Sequence, residues 1–300
     1  YLERKLSKLK VISGFEADAA ATGKQAKPFE SLFVSAKSDM GTLRIYEDSI
    51  SPDITMPKDV SAEIIRQLIK AAEKETGISP KNCNVVITVP ASFMHSQRKD
   101  TLEAARMAGL KIDEGDLLDE PVAAFIHMAC HQKLDARLDM KTQKNILMFD
   151  LGAGTCDISL FEASYDIEQL QAGVGLQIKN RAISNYKKLG GDNIDLHIVE
   201  EELLPAFCEK NSIDFKALKE KAKREVRFRL KHAAKLLKES LCRQLDTHRA
   251  AREIRQSWAI ESMAISSIEE RPKKVHGIMS LKRFMELMEP FVTDDLESSY

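Results

Sequence analysis

The segment from Asn145 to Phe161 constrains the fold more than any other part of the chain. It reads NILMFDLGAGTCDISLF, in which two apolar, β-rich runs flank a short glycine-rich turn. The first run predicts a strand that ends at Asp150, and the second predicts a strand that returns from the turn. Gly152 and Gly154 allow positive φ angles and, without a Cβ atom, let backbone N–H groups approach an anion closely. The pattern therefore predicts a strand–turn–strand element with a phosphate-binding turn.

Two other interpretations compete with this one. A lysine-bearing GxxxxGK[ST] loop is excluded, because the residues after the turn are apolar and β-like and do not begin a helix. An ordinary hairpin, in which Asp150 and Asp157 cap the turn and bind no ligand, stays open. Asp157 is more readily explained as a structural partner beside the turn than as a ligand.

The composition shows no bias toward one class of partner. The chain has 300 residues, of which 30% are charged, and a net charge of −1. This balance argues against nucleic acid and anionic membrane as partners, and no apolar run approaches the ~20 residues that span a bilayer. The five cysteines form no CxxC pair and are odd in number, which argues against a zinc ribbon and a disulfide framework. We therefore expect a cytoplasmic protein.

The order of apolar patterns predicts an α/β protein with two lobes. Helical spacing after Pro57 predicts a helix that Gly77 ends, and the run NVVITVP at 84–90 predicts a strand buried on both faces. The polar stretch 132–144 is the best hinge candidate. The predicted domains are a partial α+β subdomain of lobe I at 1–56, the lobe I core at 57–139, the lobe II core with the turn at 140–189, an outer lobe II subdomain with a long basic helix at 190–287, and a truncated return to the lobe II core at 288–300.

Several motifs, in one order along the chain, resemble the nucleotide-binding domain of the 70-kDa heat-shock chaperones (DnaK-like). They are ITVPASFMHSQR followed by AARMAGL, then LLDEPVAA, FDLGAGTCD and LGGDNID. The resemblance implies an actin-like (ribonuclease H-like) ATPase fold. In that fold two lobes, each with a mixed β-sheet and flanking helices, close over ATP or ADP with Mg²⁺, and smaller α+β subdomains complete the lobes.

The resemblance implies catalytic roles for Lys37, Glu120, Asp150 and Thr155. Lys37 would stabilise charge on the γ-phosphate or orient the attacking water, and its alternative is a solvated lysine. Glu120 would act through water on Mg²⁺ or the nucleophile, or else cap the helix that follows. Asp150 would hold metal-bound water.

Further residues are implied to bind the nucleotide or to transmit its state. Those that would bind the cofactor are Gly152, Ala153, Gly154, Thr155, Gly190, Gly191, Lys235, Lys238 and Cys242. Pro90 and Arg98 would relay the nucleotide state to a peptide-binding domain. Their alternatives are a strand terminator and a surface charge.

Three residues depart from the family pattern. Ala153 replaces a glycine, Lys235 an acid and Cys242 a serine. We expect lower nucleotide affinity, because a positive φ at Ala153 would cost about 1 kcal/mol. The family's first phosphate loop and its adenosine-binding glycine turn are not found in this sequence, so we expect both ends to be truncated. We also expect this chain alone to hydrolyse ATP poorly or not at all.

The sequence thus predicts the ATP-binding and ATP-hydrolysing domain of a heat-shock-type chaperone. The implied partners are ATP, unfolded client peptides through a further domain, and J-domain and nucleotide-exchange co-chaperones. A regulator or interaction module of the same fold without ATPase activity is the main alternative. A sugar or acetate kinase is disfavoured by the VPASF and DEPVAA segments. The basic run at 216–255 does not indicate nucleic-acid binding, because its charges lie opposite an apolar stripe.

Overall fold

The described part of the chain forms two compact units. The structure is a computed structural model and describes residues 2–5, 8–11, 30–131, 142–165, 175–184, 189–247, 254–265 and 268–291. We call the described residues of 2–11 and 33–190 the N-terminal unit, and those of 30–32 and 191–291 the C-terminal unit. The predicted hinge falls largely outside the described residues, so the lobe boundary stays a prediction.

The N-terminal unit combines helices with small sheets. Its elements are β1 (Leu2–Lys5), β2 (Lys8–Val11), a one-turn 3-10 helix (Ala36–Asp39), α1 (Pro57–Thr76), β3 (Ile87–Val89), α2 (His95–Met107), β4 (Leu117–Asp119), α3 (Glu120–His131), β5 (Lys144–Leu151), β6 (Cys156–Tyr165) and β7 (Leu176–Ile183). Strands β1 and β2 form an antiparallel hairpin, whereas β3 and β4 pair in parallel. Strands β5, β6 and β7 form an antiparallel sheet in that order.

Helix α1 begins and ends where the sequence predicted. Pro57 occupies its first turn, and the Asp59 carboxylate accepts a hydrogen bond of 2.8 Å from the Met56 N–H. Gly77 ends the helix with a φ of 71°, a left-handed conformation that favours glycine.

The prediction that residues 84–90 form a strand buried on both faces is wrong. Strand β3 covers only Ile87–Val89, and Val89 is 2% exposed while Val86 is 60% exposed. Within the described residues β3 pairs only with β4, and Thr88 in the middle of β3 is exposed. A continuous run of β-branched residues does not show which elements lie over a strand.

The predicted strand–turn–strand element is confirmed as the hairpin of β5 and β6. One face of its sheet packs on α3, where the rings of Phe161 and Phe125 lie 5.2 Å apart in an edge-on contact. On the opposite face, Leu147 and Phe149 are 68% and 63% exposed. The buried face, with Phe161 at 0% exposure, therefore fixes the hairpin to the rest of the unit.

The C-terminal unit is built around one long helix and a hairpin. Its elements are α4 (Gly191–Ile198), a π-helical turn (Val199–Leu203), α5 (Leu204–Asn211), α6 (Glu220–Thr247), β8 (Arg255–Ile265), β9 (Ile268–Ser280) and α7 (Leu281–Met288). Strands β8 and β9 pair antiparallel. The apolar stripe of α6 is buried against this hairpin, α4 and the π-helical turn, and it comprises Ala222, Val226, Leu230, Ala234, Leu237 and Leu241. In the described ranges, no helix is both long enough and apolar enough to cross a membrane.

Candidate functional site

The predicted phosphate turn connects β5 to β6. The Gly152 N–H donates a hydrogen bond of 2.9 Å to the Thr155 carbonyl oxygen, which closes the turn. None of Gly152, Ala153 and Gly154 is among the residues with positive φ. The two glycines of the turn therefore do not adopt the positive φ that glycine allows. The cost of a positive φ at Ala153 does not arise, because this residue has no positive φ.

Gly190 packs directly on this turn. A Cβ atom built on Gly190 would lie 2.7 Å from the carbonyl carbon and oxygen of Ala153, and 2.8 Å from the Gly152 oxygen. Only a residue without a side chain fits there without a shift of backbone atoms. The structure thus brings Gly190 to the turn, whereas Gly191 begins α4 of the C-terminal unit, and the nucleotide-binding role of both glycines stays a prediction.

The 3-10 helix at Ala36–Asp39 also lies against the turn. The Ser38 hydroxyl oxygen would be 2.6 Å from a Cβ built on Gly154. The neighbouring Lys37 places its Nζ 2.7 Å from Oε1 of Glu120, the first residue of α3. The structure therefore brings Lys37 and Glu120 together. It also places the 3-10 helix that bears Lys37 beside the Gly152–Thr155 turn. Ser38 was missed by the sequence analysis, since no local pattern marks it.

The two aspartates of the hairpin have different surroundings, although they are cross-strand partners. Asp157 is 2% exposed and accepts hydrogen bonds from the Ser92 hydroxyl and, at 3.3 Å, from the Ser92 N–H. Asp157 therefore stabilises the fold by its contact with Ser92. Asp150 is half-buried, and its carboxylate has no hydrogen bond or ion pair with the residues that the structure describes. This carboxylate is therefore available to a ligand.

Arg98 connects strand β4 with the loop that follows strand β3. Its Nε donates a hydrogen bond of 3.2 Å to the Phe93 carbonyl oxygen, and its guanidinium lies 2.5 Å from the Asp119 carboxylate. The Phe93 N–H in turn donates to the Pro90 carbonyl oxygen at 3.0 Å. Pro90 and Arg98 thus belong to one hydrogen-bonded group, which differs from the solvated surface charge that was the alternative for Arg98.

Helix α6 carries the three predicted adenosine-contacting residues. Lys238 places its Nζ 2.6 Å from Oδ1 of Asp195 and donates a hydrogen bond of 2.9 Å to the Gly191 carbonyl oxygen. Burial raises the pKa of the Asp195 carboxyl, and the Lys238 ammonium opposes that shift. Lys235 and Cys242 are exposed. Lys238 therefore has a structural role within the C-terminal unit, and the ligand roles of all three residues stay predictions.

Comparison with known proteins identifies the family. A family model described as Hsp70 protein matches residues 3–298. The chain belongs to the Hsp70 family. The match extends over nearly the whole chain, so both compact units are parts of an Hsp70-family sequence.

Several Hsp70-family relatives are similar to this chain over much of its length. Chaperone protein DnaK of Thermus thermophilus is 29% identical over 236 residues, 79% of this chain and 32% of that protein. Chaperone protein DnaK of Mycoplasmoides gallisepticum is 33% identical over 217 residues, 71% of this chain and 32% of that protein. Chaperone protein dnaK1 of Prochlorococcus marinus subsp. pastoris is 34% identical over 179 residues, 60% of this chain and 23% of that protein. The matched part of the chain therefore spans at most 32% of the length of these relatives.

Proposed function

We propose that this chain is the ATP-binding and ATP-hydrolysing domain of a heat-shock-type molecular chaperone. The names of the relatives, chaperone proteins DnaK and dnaK1, support this function. The observation that carries the proposal is the position of the Lys37–Glu120 pair. The segment that bears Lys37 contacts the Gly152–Thr155 turn through Ser38. The Lys37 cation, the carboxylates of Glu120 and Asp150, and this turn therefore lie in one unit.

The turn would bind phosphate through its backbone. The Gly152 N–H is used to close the turn. The N–H groups of Ala153 and Gly154 and the Thr155 hydroxyl are therefore the proposed donors to phosphate oxygens. Lys37 would stabilise the charge that develops on the γ-phosphate, since an ammonium is a compact cation.

The acidic residues fit Mg²⁺. This ion prefers oxygen ligands and is held by one or two carboxylates together with water and substrate phosphates. Asp150 offers a carboxylate with no partner among the described residues, and Glu120 has a second carboxylate oxygen besides the one that contacts Lys37. When bound, Mg²⁺ would neutralise charge on the phosphates. Asp150 and Glu120 would orient water between the ion and the protein.

The finer parts of the proposal follow from the family. We infer an actin-like fold of two lobes with the boundary near residue 139, and a nucleotide state that controls a peptide-binding domain. Client peptides, J-domain co-chaperones and nucleotide-exchange co-chaperones are the proposed partners. Pro90 and Arg98 are the proposed relay, and their shared hydrogen-bonded group supports a joint role.

A regulator of the same fold with impaired nucleotide binding is the second candidate. The ion pair of Lys238 with Asp195 favours it, because this lysine is already engaged within the protein. The replacement of an acid by the exposed Lys235 and of a serine by the exposed Cys242 favours it as well.

Isothermal titration of MgATP into the chain distinguishes these candidates. We expect the wild type to bind, and Asp150→Asn to weaken binding by about tenfold or more, as is typical for groups that orient a metal ion. Asp53→Asn is the matched control, because Asp53 is an exposed acid of the same unit, and it should bind like the wild type. No heat of binding for the wild type at millimolar ATP would overturn the proposed binding of ATP by this chain and favour the regulator.

A further inference from the structure

The segment at 36–41 is held on two sides of Ser38. On one side, Lys37 forms its ion pair of 2.7 Å with Glu120. On the other side, the Gly41 N–H donates a hydrogen bond of 2.8 Å to the Asp100 carboxylate. A Cβ on Gly41 would lie 2.7 Å from atoms of Ser96 and Gln97, so this end of the segment packs closely on α2. The position of Ser38 is therefore fixed by its neighbours.

The Ser38 hydroxyl contacts the phosphate turn and has no partner among the described residues. It lies where a Cβ on Gly154 would come within 2.6 Å of its oxygen, so the absence of a side chain at Gly154 makes room for it. Ser38 is half-buried, and its hydroxyl forms no hydrogen bond with the part of the chain that the structure describes. A partly buried donor without a partner is stabilised when a ligand supplies an acceptor for its hydrogen bond.

The charged side chains on both sides of Ser38 are paired. Lys37 precedes it, and the ammonium group of Lys37 is paired with the Glu120 carboxylate. Asp39 follows it, but the carboxylate of Asp39 is paired with the Arg44 guanidinium. The negative charge next to Ser38 is therefore neutralised and repels a phosphate less than a free carboxylate would.

We propose that Ser38 is a further phosphate-binding residue of this site, whose hydroxyl donates a hydrogen bond to a phosphate oxygen of a nucleotide held by the Gly152–Thr155 turn. The inference rests on the proposed ATP-binding function. It adds a neutral donor beside the Lys37 cation, contributed by the 3-10 helix and not by the glycine-rich turn. The ligand class is a nucleoside di- or triphosphate.

Two substitutions of Ser38 separate donation from packing. Ser38→Ala removes the hydroxyl, and Ser38→Cys keeps nearly the same volume but offers only a weak donor. We expect both variants to raise the Kd for MgATP by about tenfold, the typical loss of one hydrogen bond to a charged group. The melting temperature without nucleotide should stay that of the wild type. Ser164→Ala, another half-buried serine of this unit without a described partner, is the matched control and should leave the Kd unchanged.

Each other outcome counts against a different statement. If the wild type binds MgATP and both Ser38 variants bind equally well, the inference is overturned while the proposed function stands. If only Ser38→Ala weakens binding, Ser38 acts by packing against Gly154 and the proposed hydrogen bond is overturned. If the wild type itself binds no MgATP, the proposed function fails, and the inference fails with it.

Discussion

Steric contact, and not backbone conformation, requires glycine at the position that packs on the Gly152–Thr155 turn. A Cβ on Gly190 would lie 2.7 Å from backbone atoms of Ala153, which cannot move without shifting the turn. We expect Gly190→Ala to lower the free energy of unfolding by about 1–3 kcal/mol, the usual cost of overpacking. Urea denaturation followed by circular dichroism measures this change.

The matched control is Gly152, which lies in the turn that Gly190 contacts. A Cβ on Gly152 would meet its nearest neighbour, the Thr155 oxygen, at 3.5 Å, which is an ordinary contact. Gly152→Ala should therefore change the free energy of unfolding by no more than about 0.5 kcal/mol. If both variants lose the same free energy of unfolding, the contact of Gly190 with the turn is not the cause of the destabilisation.

Tyr46 gives the stability a dependence on alkaline pH. This residue is 3% exposed, and burial raises the pKa of its hydroxyl from 10.0 to about 12. The folded state keeps the proton at pH values where the unfolded state has lost it, so the free energy of unfolding falls as the pH rises from about 10 to about 12. Tyr46→Phe should show a smaller fall over this range in urea denaturation. If the free energy of unfolding falls equally with pH in the variant and the wild type, Tyr46 is not the cause of the pH dependence.

At the level of elements, α6 is attached to the start of α4 by Lys238. The side chain of Lys238 pairs with Asp195, which is 2% exposed, and donates to the Gly191 carbonyl oxygen. We expect Lys238→Met to lower the free energy of unfolding by about 3 kcal/mol, because it leaves a buried carboxylate without its cation. Lys235→Met, at an exposed position nearly one turn earlier on the helix, should change it by about 0.5 kcal/mol or less. A similar small change in both variants would argue that the ion pair is not stabilising.

Local signals made some elements predictable from the sequence. Pro57 and Gly77 mark the ends of α1 by their own backbone preferences. The hairpin of β5 and β6 follows from two apolar runs around a short turn. The exposure of Val86 could not be predicted, because it depends on which elements lie over β3.

The site was predictable where a motif carried it and not where distant segments meet. Glu120, Asp150 and the turn residues lie in short motifs of recognisable composition. The contact of Ser38 with Gly154 joins segments that are far apart in the sequence, and no local pattern encodes it. The backbone angles of the turn could not be predicted from its glycines, since glycine permits positive φ but does not require it.

At the scale of the whole molecule, the order of the motifs carried the family assignment. Each motif is short, but together they extend from β3 to the start of α4, and the Hsp70 family model matches residues 3–298. The proposed function depends on the binding of nucleotide phosphates by the Gly152–Thr155 turn.

Amide chemical shifts of the isotope-labelled chain, recorded by NMR during titration with MgATP, test this binding most directly. We predict that the largest shifts occur at Ala153, Gly154 and Gly190, and that adenosine without phosphates does not reproduce them. If the amide signals of the turn stay in place at saturating MgATP, the turn does not bind the phosphates.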